Sequence, residues 1–222
     1  MRSPSQTKLV NTSAVLVGAC QLVPLPFVDD LLEARILKSM LRRIFAKHGH
    51  KLTSEQIKTL SRDRKGVLAT TAGLARGLVM KPIKKIFRYV FFVFTARGIS
   101  RKIAATALLG RAAETVASSP EFSSTSDLSL IREAYLSALE ELDLGFADNF
   151  AVLVKRQKET PVIPETNLAE GPETRPSVSI NRSELRREVR EFSEILSRKE
   201  VRDHLQTFDA LFQRNLISGA AA

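Results

Sequence analysis

The chain has one cysteine, no tryptophan and two tyrosines among 222 residues. A single thiol, Cys20, excludes an internal disulfide and a cysteine-based metal site, and it fits a reducing, cytosol-facing compartment. The three histidines do not make a ligand cluster, and the aromatic complement is almost entirely its 12 Phe. Phe serves packing and lipid contact and lacks the polar handle that Tyr and Trp bring to binding pockets. Strand-like alternation, solenoid repeats and low-complexity tracts outside one linker are also missing. No GxxxxGK[ST], GxGxxG, GxSxG or HExxH occurs, which excludes the common motif-bearing enzyme classes.

Acidic residues are scarce in the first half. Residues 1–111 carry 21 Lys+Arg against 5 Asp+Glu, a net +16, whereas residues 112–222 carry 13 against 19, a net −6. This asymmetry directs the first half toward an anionic partner, either phospholipid or nucleic acid, or toward the acidic half of the same chain.

With 44% hydrophobic residues the chain can bury a core. Residues 1–8 read as a polar, frayed end. Leu9 to Val28 is uncharged over the length that nominates a membrane span. It also holds Asn11, Thr12, Ser13, Gln21, Pro24 and Pro26, so a re-entrant, interfacial or buried segment fits better. Arg2 and Lys8 precede it, but no small-residue cleavage pattern follows, so it does not read as a secretory leader. Within it, Thr12 or Ser13 is placed to cap a helix over Ala14–Val23 that Pro24 ends.

Asp29 and Asp30 open the next helix, to about Lys47. Leu32, Ile36, Met40 and Ile44, with Leu37, Leu41 and Phe45, form its apolar stripe. Arg35, Lys38, Arg42, Arg43 and Lys47 form a cationic face that only Glu33 offsets. Gly49 suits the left-handed position after the helix, and Thr53 to Gln56 reads as a capping box.

Ala69, Gly73 and Gly77 recur every four residues, the spacing of a close helix crossing. A helix over Ile83–Ala96 follows, in which Lys84, Lys85, Arg88 and Arg97 bracket Tyr89 to Phe94; six consecutive apolar residues cannot share one face. Gly98 reads as a break. Further helices are expected from Ser100 through Val116, over Asp127–Leu142, and from Phe146 to about Arg156. Four prolines mark 157–179 as a flexible linker. Beyond it, Leu185, Val189, Phe192 and Leu196 form one stripe and Val201, Leu205, Phe208, Phe212 and Leu216 another, out of phase near Arg198–Glu200. That second stripe needs a cover: the first domain, another copy, or a different protein.

The expected fold is therefore all-α: a compact multi-helix bundle over 1–156, a proline-rich linker over 157–179, and a C-terminal amphipathic helix over 180–218. Within the bundle, residues 1–118 are basic and the helices of 126–156 are acidic.

Catalysis would need converging titratable groups. Asp29 and Asp30 point about 100° apart on a helix and read as capping carboxylates. His48 and His50 flank the helix-ending Gly49 and read as solvated cations at its negative end. Cys20 has no His nearby in sequence and reads as a small buried hydrophobe. No catalytic, cofactor or metal residue is assigned, and the expectation is a non-enzyme without a small-molecule substrate.

The order Gly18-Ala19, then Val23-Pro-Leu-Pro-Phe-Val-Asp-Asp30, then Met40-Leu-Arg-Arg-Ile44, then His48-Gly-His-Lys-Leu-Thr53 resembles a bacterial family that includes YcjF-like inner-membrane proteins and the related EcsC-like proteins. Lys81-Pro-Ile-Lys-Lys-Ile-Phe87 and the Ala-rich helix near Gly110 are similar in order, so the likeness covers about residues 10–118. It implies an inner-membrane-associated helical domain with no established catalytic residues; the chain departs in having no clear paired transmembrane helices and no GTPase domain.

The functional expectation is docking on an anionic bilayer surface at the bacterial cytoplasmic face, peripheral or partly inserted. Lys84, Lys85, Arg88, Phe91, Phe92, Phe94 and Arg97 are the expected membrane contacts, and Arg35, Lys38, Arg42, Arg43 and Lys47 the basic surface. Val201, Leu205, Phe208 and Phe212 are the expected stripe for a protein partner or self-association. A soluble adaptor or homo-oligomer is the alternative. Nucleic acid fits less well, because the cations alternate with apolar faces and no nucleic-acid-binding signature appears.

Overall fold

Pro4 stands at the first position of helix α1, where its missing N–H costs nothing, and the helix runs Pro4–Cys20. The computed structural model describes residues 4–21, 28–61, 87–123, 126–151, 155 and 182–220; within these, the side chains of 28–29, 87–97 and 220 are not described. Helix α1 therefore includes residues 4–8 of the segment expected to fray. Thr12 and Ser13 do not cap a helix start: their hydroxyls donate to the carbonyls of Lys8 and Leu9 at 2.7 and 2.9 Å, inside the helix. Such back-bonding lets hydroxyls sit mid-helix with their protons satisfied.

Further α-helices among the described residues are α2 (Val28–Lys47), α3 (Ser54–Ser61), α4 (Phe87–Ala117) and α5 (Leu128–Glu141). A 3-10 helix, η1, spans Leu144–Phe150, so the first residues of the helix expected from Phe146 to about Arg156 are 3-10, while Ala151 and Lys155 are α-helical. The chain closes with α6 (Arg182–Ser197) and α7 (Lys199–Ala220), broken at Arg198 where the two apolar stripes fall out of phase. The described residues form an all-α fold with no strand. The segments carrying the Ala69/Gly73/Gly77 stripe and the 157–179 linker lie outside the described residues.

Local signals explain several boundaries. Gly49 takes φ 84°, left-handed backbone that a side chain would strain. Thr53 and Gln56 make the reciprocal capping box: the Gln56 side chain accepts from the Thr53 N–H at 2.8 Å, and the Thr53 hydroxyl accepts from the Gln56 N–H at 3.2 Å. The Asp127 carboxylate caps α5 by accepting from the Ser129 backbone N–H at 2.8 Å. Hydrogen bonds from the Ser129 hydroxyl and backbone hold that carboxyl below its ordinary range. Gly98, expected to break the chain, lies within the continuous α4.

Helix α1 packs against α2, α4 and α6. Gln6 meets His48 at one end of α2 and Gln21 meets Glu33 at the other, so α1 and α2 run antiparallel. Gly18 faces Ile99 and Ile103, and Gly110 faces Val10, so α1 and α4 are antiparallel as well. Across from them α5 packs on α7. Tyr135 of α5 lies edge-on to Phe208 with ring centres 6.1 Å apart, and its hydroxyl donates to the Ala105 carbonyl of α4 at 2.9 Å. One buried cluster runs from Val10 in α1 to Phe212 in α7. The C-terminal helices are thus part of the core, and the uncharged N-terminal stretch is its middle: Ala14, Val15, Val17 and Cys20 are fully buried.

Candidate anionic-surface interface

The apolar positions of α2 fix which way its charges point. Met40, Leu41, Ile44 and Phe45 are fully buried, against α1 and α4 and, for Phe45, the ring of Phe122. That orientation leaves Arg35, Arg42, Arg43 and Lys47 exposed and Lys38 half-buried. From Arg35 to Lys47 the row spans about 18 Å at the α-helical rise of 1.5 Å per residue. Lys51, in the following turn, and Lys58, on α3, are exposed too. The sequence reading of α3 rested on its cap and passed over both; an open lysine on the polar side of an eight-residue helix was the available signal.

Glu33 does not neutralise this face. Its carboxylate accepts from Lys102 Nζ at 2.7 Å and from Gln21 Nε2 at 3.0 Å, binding α2 to α4 and α1. None of the five cations of α2 makes an ion pair among the described residues. Two of them hold neutral partners: Arg42 donates to the Ser54 hydroxyl at 3.0 Å and Lys47 to the Ser5 hydroxyl at 2.9 Å. Arg35–Lys38, Lys38–Arg42 and Arg43–Lys47 are like-charge neighbours on the helix surface, each costing a few tenths of a kcal/mol. Leu31, at the start of the same helix, is 71% exposed.

The remaining expected positions divide. Lys84 and Lys85 lie outside the described residues, as do the side chains of Arg88, Phe91, Phe92, Phe94 and Arg97; the backbone of those five forms the first turns of α4, ahead of the contact between Ile99 and Gly18. Val201, Leu205, Phe208 and Phe212 are all buried within the chain. The stripe is covered by its own bundle, chiefly α5, and is not an open docking face; its hydrophobic phase is as expected but its cover is intramolecular.

The residues weighed for chemistry stay apart. Asp30 is exposed in the first turn of α2, and the side chain of Asp29 lies outside the described residues. His48 and His50 are half-buried and in contact with other elements: the His48 ring nitrogen lies 2.8 Å from Gln6 Nε2, and His50 stands edge-on to Phe122 at 4.8 Å. Cys20 is buried. Among the described residues, no group of three or more His, Cys, Asp and Glu is arranged to hold a metal, and no helix is long and apolar enough to cross a membrane. No family model, curated protein or solved structure matches the chain.

Proposed function

We propose that this protein docks on an anionic bilayer surface through the cationic face of α2, together with Lys51 and Lys58, with the start of α4 as a second, apolar contact. The observation that carries the reading is the row from Arg35 to Lys47, without ion pairs among the described residues and exposed although its like charges repel. A layer of phosphate headgroups relieves that repulsion and matches a flat row of long, mobile side chains. Each Lys or Arg near an anionic surface contributes about 1 kcal/mol, so five give about 5 kcal/mol. The role is binding rather than catalysis. The likeness to the YcjF-like and EcsC-like proteins points the same way, toward the inner face of a bacterial membrane.

Co-sedimentation with vesicles tests this. The full chain should pellet with anionic vesicles at moderate salt and remain in the supernatant with neutral ones. The exposed triple variant Arg35→Gln/Arg42→Gln/Arg43→Gln should lose about two decades of affinity, three charges at about 1 kcal/mol each. Phe91→Ser/Phe92→Ser reports on the α4 contact. Failure of wild type to bind anionic vesicles would sink the proposal. Equal binding to neutral vesicles would shift it from surface docking to insertion. Salt-sensitive retention on DNA or RNA with no lipid preference would replace the partner with nucleic acid.

A further inference from the structure

Two large apolar side chains stand out from the fold among the described residues: Leu31 of α2 and Ile217 of α7, each 71% exposed. A single exposed leucine is ordinary on a protein surface, so its place decides whether it acts. Leu31, Arg35, Lys38 and Arg42 stand at i, i+4, i+7 and i+11, the spacing of one helical face. The leucine therefore heads the stripe of cations, and about 17 Å of helix axis carries all four. Ser39 and Ala46, exposed on the same side, are small and uncharged. Asp30 comes just before Leu31 but points about 100° away from it around the helix.

The bundle sets where this end of α2 lies. Helix α1 is antiparallel to both α2 and α4, so α2 and α4 run parallel. The Glu33 carboxylate, two residues beyond Leu31, accepts from Lys102 Nζ of α4 at 2.7 Å. Helix α4 begins at Phe87, well ahead of Lys102, and α2 begins at Val28, shortly before Glu33. The first turns of α4 thus lie toward the same end of the bundle as Leu31.

A leucine so placed distinguishes among polyanions. A nucleic acid duplex meets a row of cations with phosphates and offers no apolar layer beneath them. A bilayer does, because its acyl region begins about 5–10 Å below a helix lying in the headgroup plane. Arg and Lys lay their stems along apolar surface and keep their charges at the phosphates, while a leucine beside them goes deeper. We infer that Leu31 is the apolar anchor of the α2 surface: it enters the acyl boundary of an anionic bilayer while Arg35, Lys38 and Arg42 hold the headgroup phosphates. This role rests on the docking of α2 proposed above, and adds to it the residue that makes the surface select lipid over other polyanions.

Ile217 supplies the control, because it is equally exposed and its helix α7 does not pack on α2 among the described residues. Leu31→Ser and Ile217→Ser, with their fold checked by circular dichroism, are compared with wild type on vesicles containing phosphatidylglycerol and on duplex DNA. Leu31→Ser should bind the vesicles at least about tenfold more weakly, the loss of much of one leucine's burial, and should leave any retention on DNA unchanged. Ile217→Ser should bind the vesicles as wild type does. The chain has no tryptophan, so Leu31→Trp places a sole indole at the contact. Its emission should shift to the blue on these vesicles and be quenched by brominated acyl chains. Leu31→Ser binding as tightly as wild type, while Arg35→Gln/Arg42→Gln/Arg43→Gln binds more weakly, overturns the anchor and leaves the docking standing. An equal loss in Ile217→Ser, an equal loss of Leu31→Ser on DNA, or an unquenched indole on bound protein overturns the anchor as well. Failure of wild type to bind the vesicles overturns the docking itself, and the anchor with it.

Discussion

Two glycines of α4 give opposite predictions for one substitution. A Cβ on Gly110 would stand 2.7 Å from both Cγ atoms of Val10 and 3.2 Å from its Cβ. A branched side chain rooted that close cannot rotate clear, so α1 or α4 must shift. Forced packing costs about 1–3 kcal/mol, and the clash with two methyls belongs in the upper half of that range. Alanine recovers about 1 kcal/mol of helix propensity over glycine. The net for Gly110→Ala is a loss of about 1–2 kcal/mol. At Gly98 a Cβ meets nothing within 4 Å, so only the propensity acts and Gly98→Ala should gain about 0.5–1 kcal/mol. Urea unfolding followed by far-UV circular dichroism measures both. Adding Val10→Ala closes a cycle: removing the two methyls should cost less in the Gly110→Ala background than in wild type, with a coupling of about 1–2 kcal/mol. The close crossing of α1 and α4 would be refuted if Gly110→Ala matched wild type and the cycle were additive. If Gly98→Ala destabilised the protein, the continuity of α4 through that position would fail instead.

Phe208 is fully buried, edge-on to Tyr135 and stacked on Phe212 with ring centres 6.0 Å apart. Phe208→Ala should cost about 3–5 kcal/mol in the same urea assay; a loss below about 1 kcal/mol would return this stripe to an external partner. Glu141 gives a pH prediction. Its carboxylate accepts hydrogen bonds from Arg214 and Asn215 of α7, which hold it below the ordinary glutamate range. A carboxyl whose folded value is depressed adds stability above its unfolded value and loses it as pH falls through the folded one. Between the ordinary glutamate value near 4.3 and more acid pH, wild type should therefore lose stability faster than Glu141→Gln. Parallel curves for the two proteins across that window would show that the α5–α7 contact does not depend on this charge.

Helices whose determinants are local were readable in advance. The stripe of α2 and its end at Gly49, the capping box before α3, the start of α5 near Asp127 and the phase break at Arg198 rest on residues within a few positions of one another. The errors have a common physical source. A serine or threonine hydroxyl serves equally as a cap or as a back-bonding donor, and the start of α1 at Pro4 places Thr12 and Ser13 mid-helix, where they do the second. Gly98 carries a breaker's local cost of about 1 kcal/mol. That cost is small beside the burial of Ile99, Ile103 and Leu108 along the helix it would have interrupted. Gly18 and Gly110, which permit the α1–α4 crossing, lie 92 residues apart and share no sequence pattern. The stripe on α7 was visible, but its cover is set by tertiary packing that no local pattern encodes.

The same separation of local from tertiary information bears on the candidate interface. A basic half and an acidic half in one chain invite the reading that they neutralise each other, which would leave no field for a partner. An ion pair of that kind, Arg111 of α4 on Asp209 of α7, joins the two halves. Lys102 pairs with Glu33 inside the basic half, and Arg214 with Glu141 and Arg187 with Glu184 inside the acidic half. Helix α2 contributes Glu33 to this pairing, and that residue is turned inward toward Lys102 and Gln21. Its five cations are thus left outside the internal compensation of the fold among the described residues, on the side opposite the helix's buried stripe. Surface charges separated by more than a Debye length of about 8 Å at physiological salt are screened from one another. Acidic residues elsewhere on the molecule therefore do little to cancel the row locally. An anionic layer placed against α2 meets its full charge, which is why the docking proposal rests on this helix and not on the net charge of the chain.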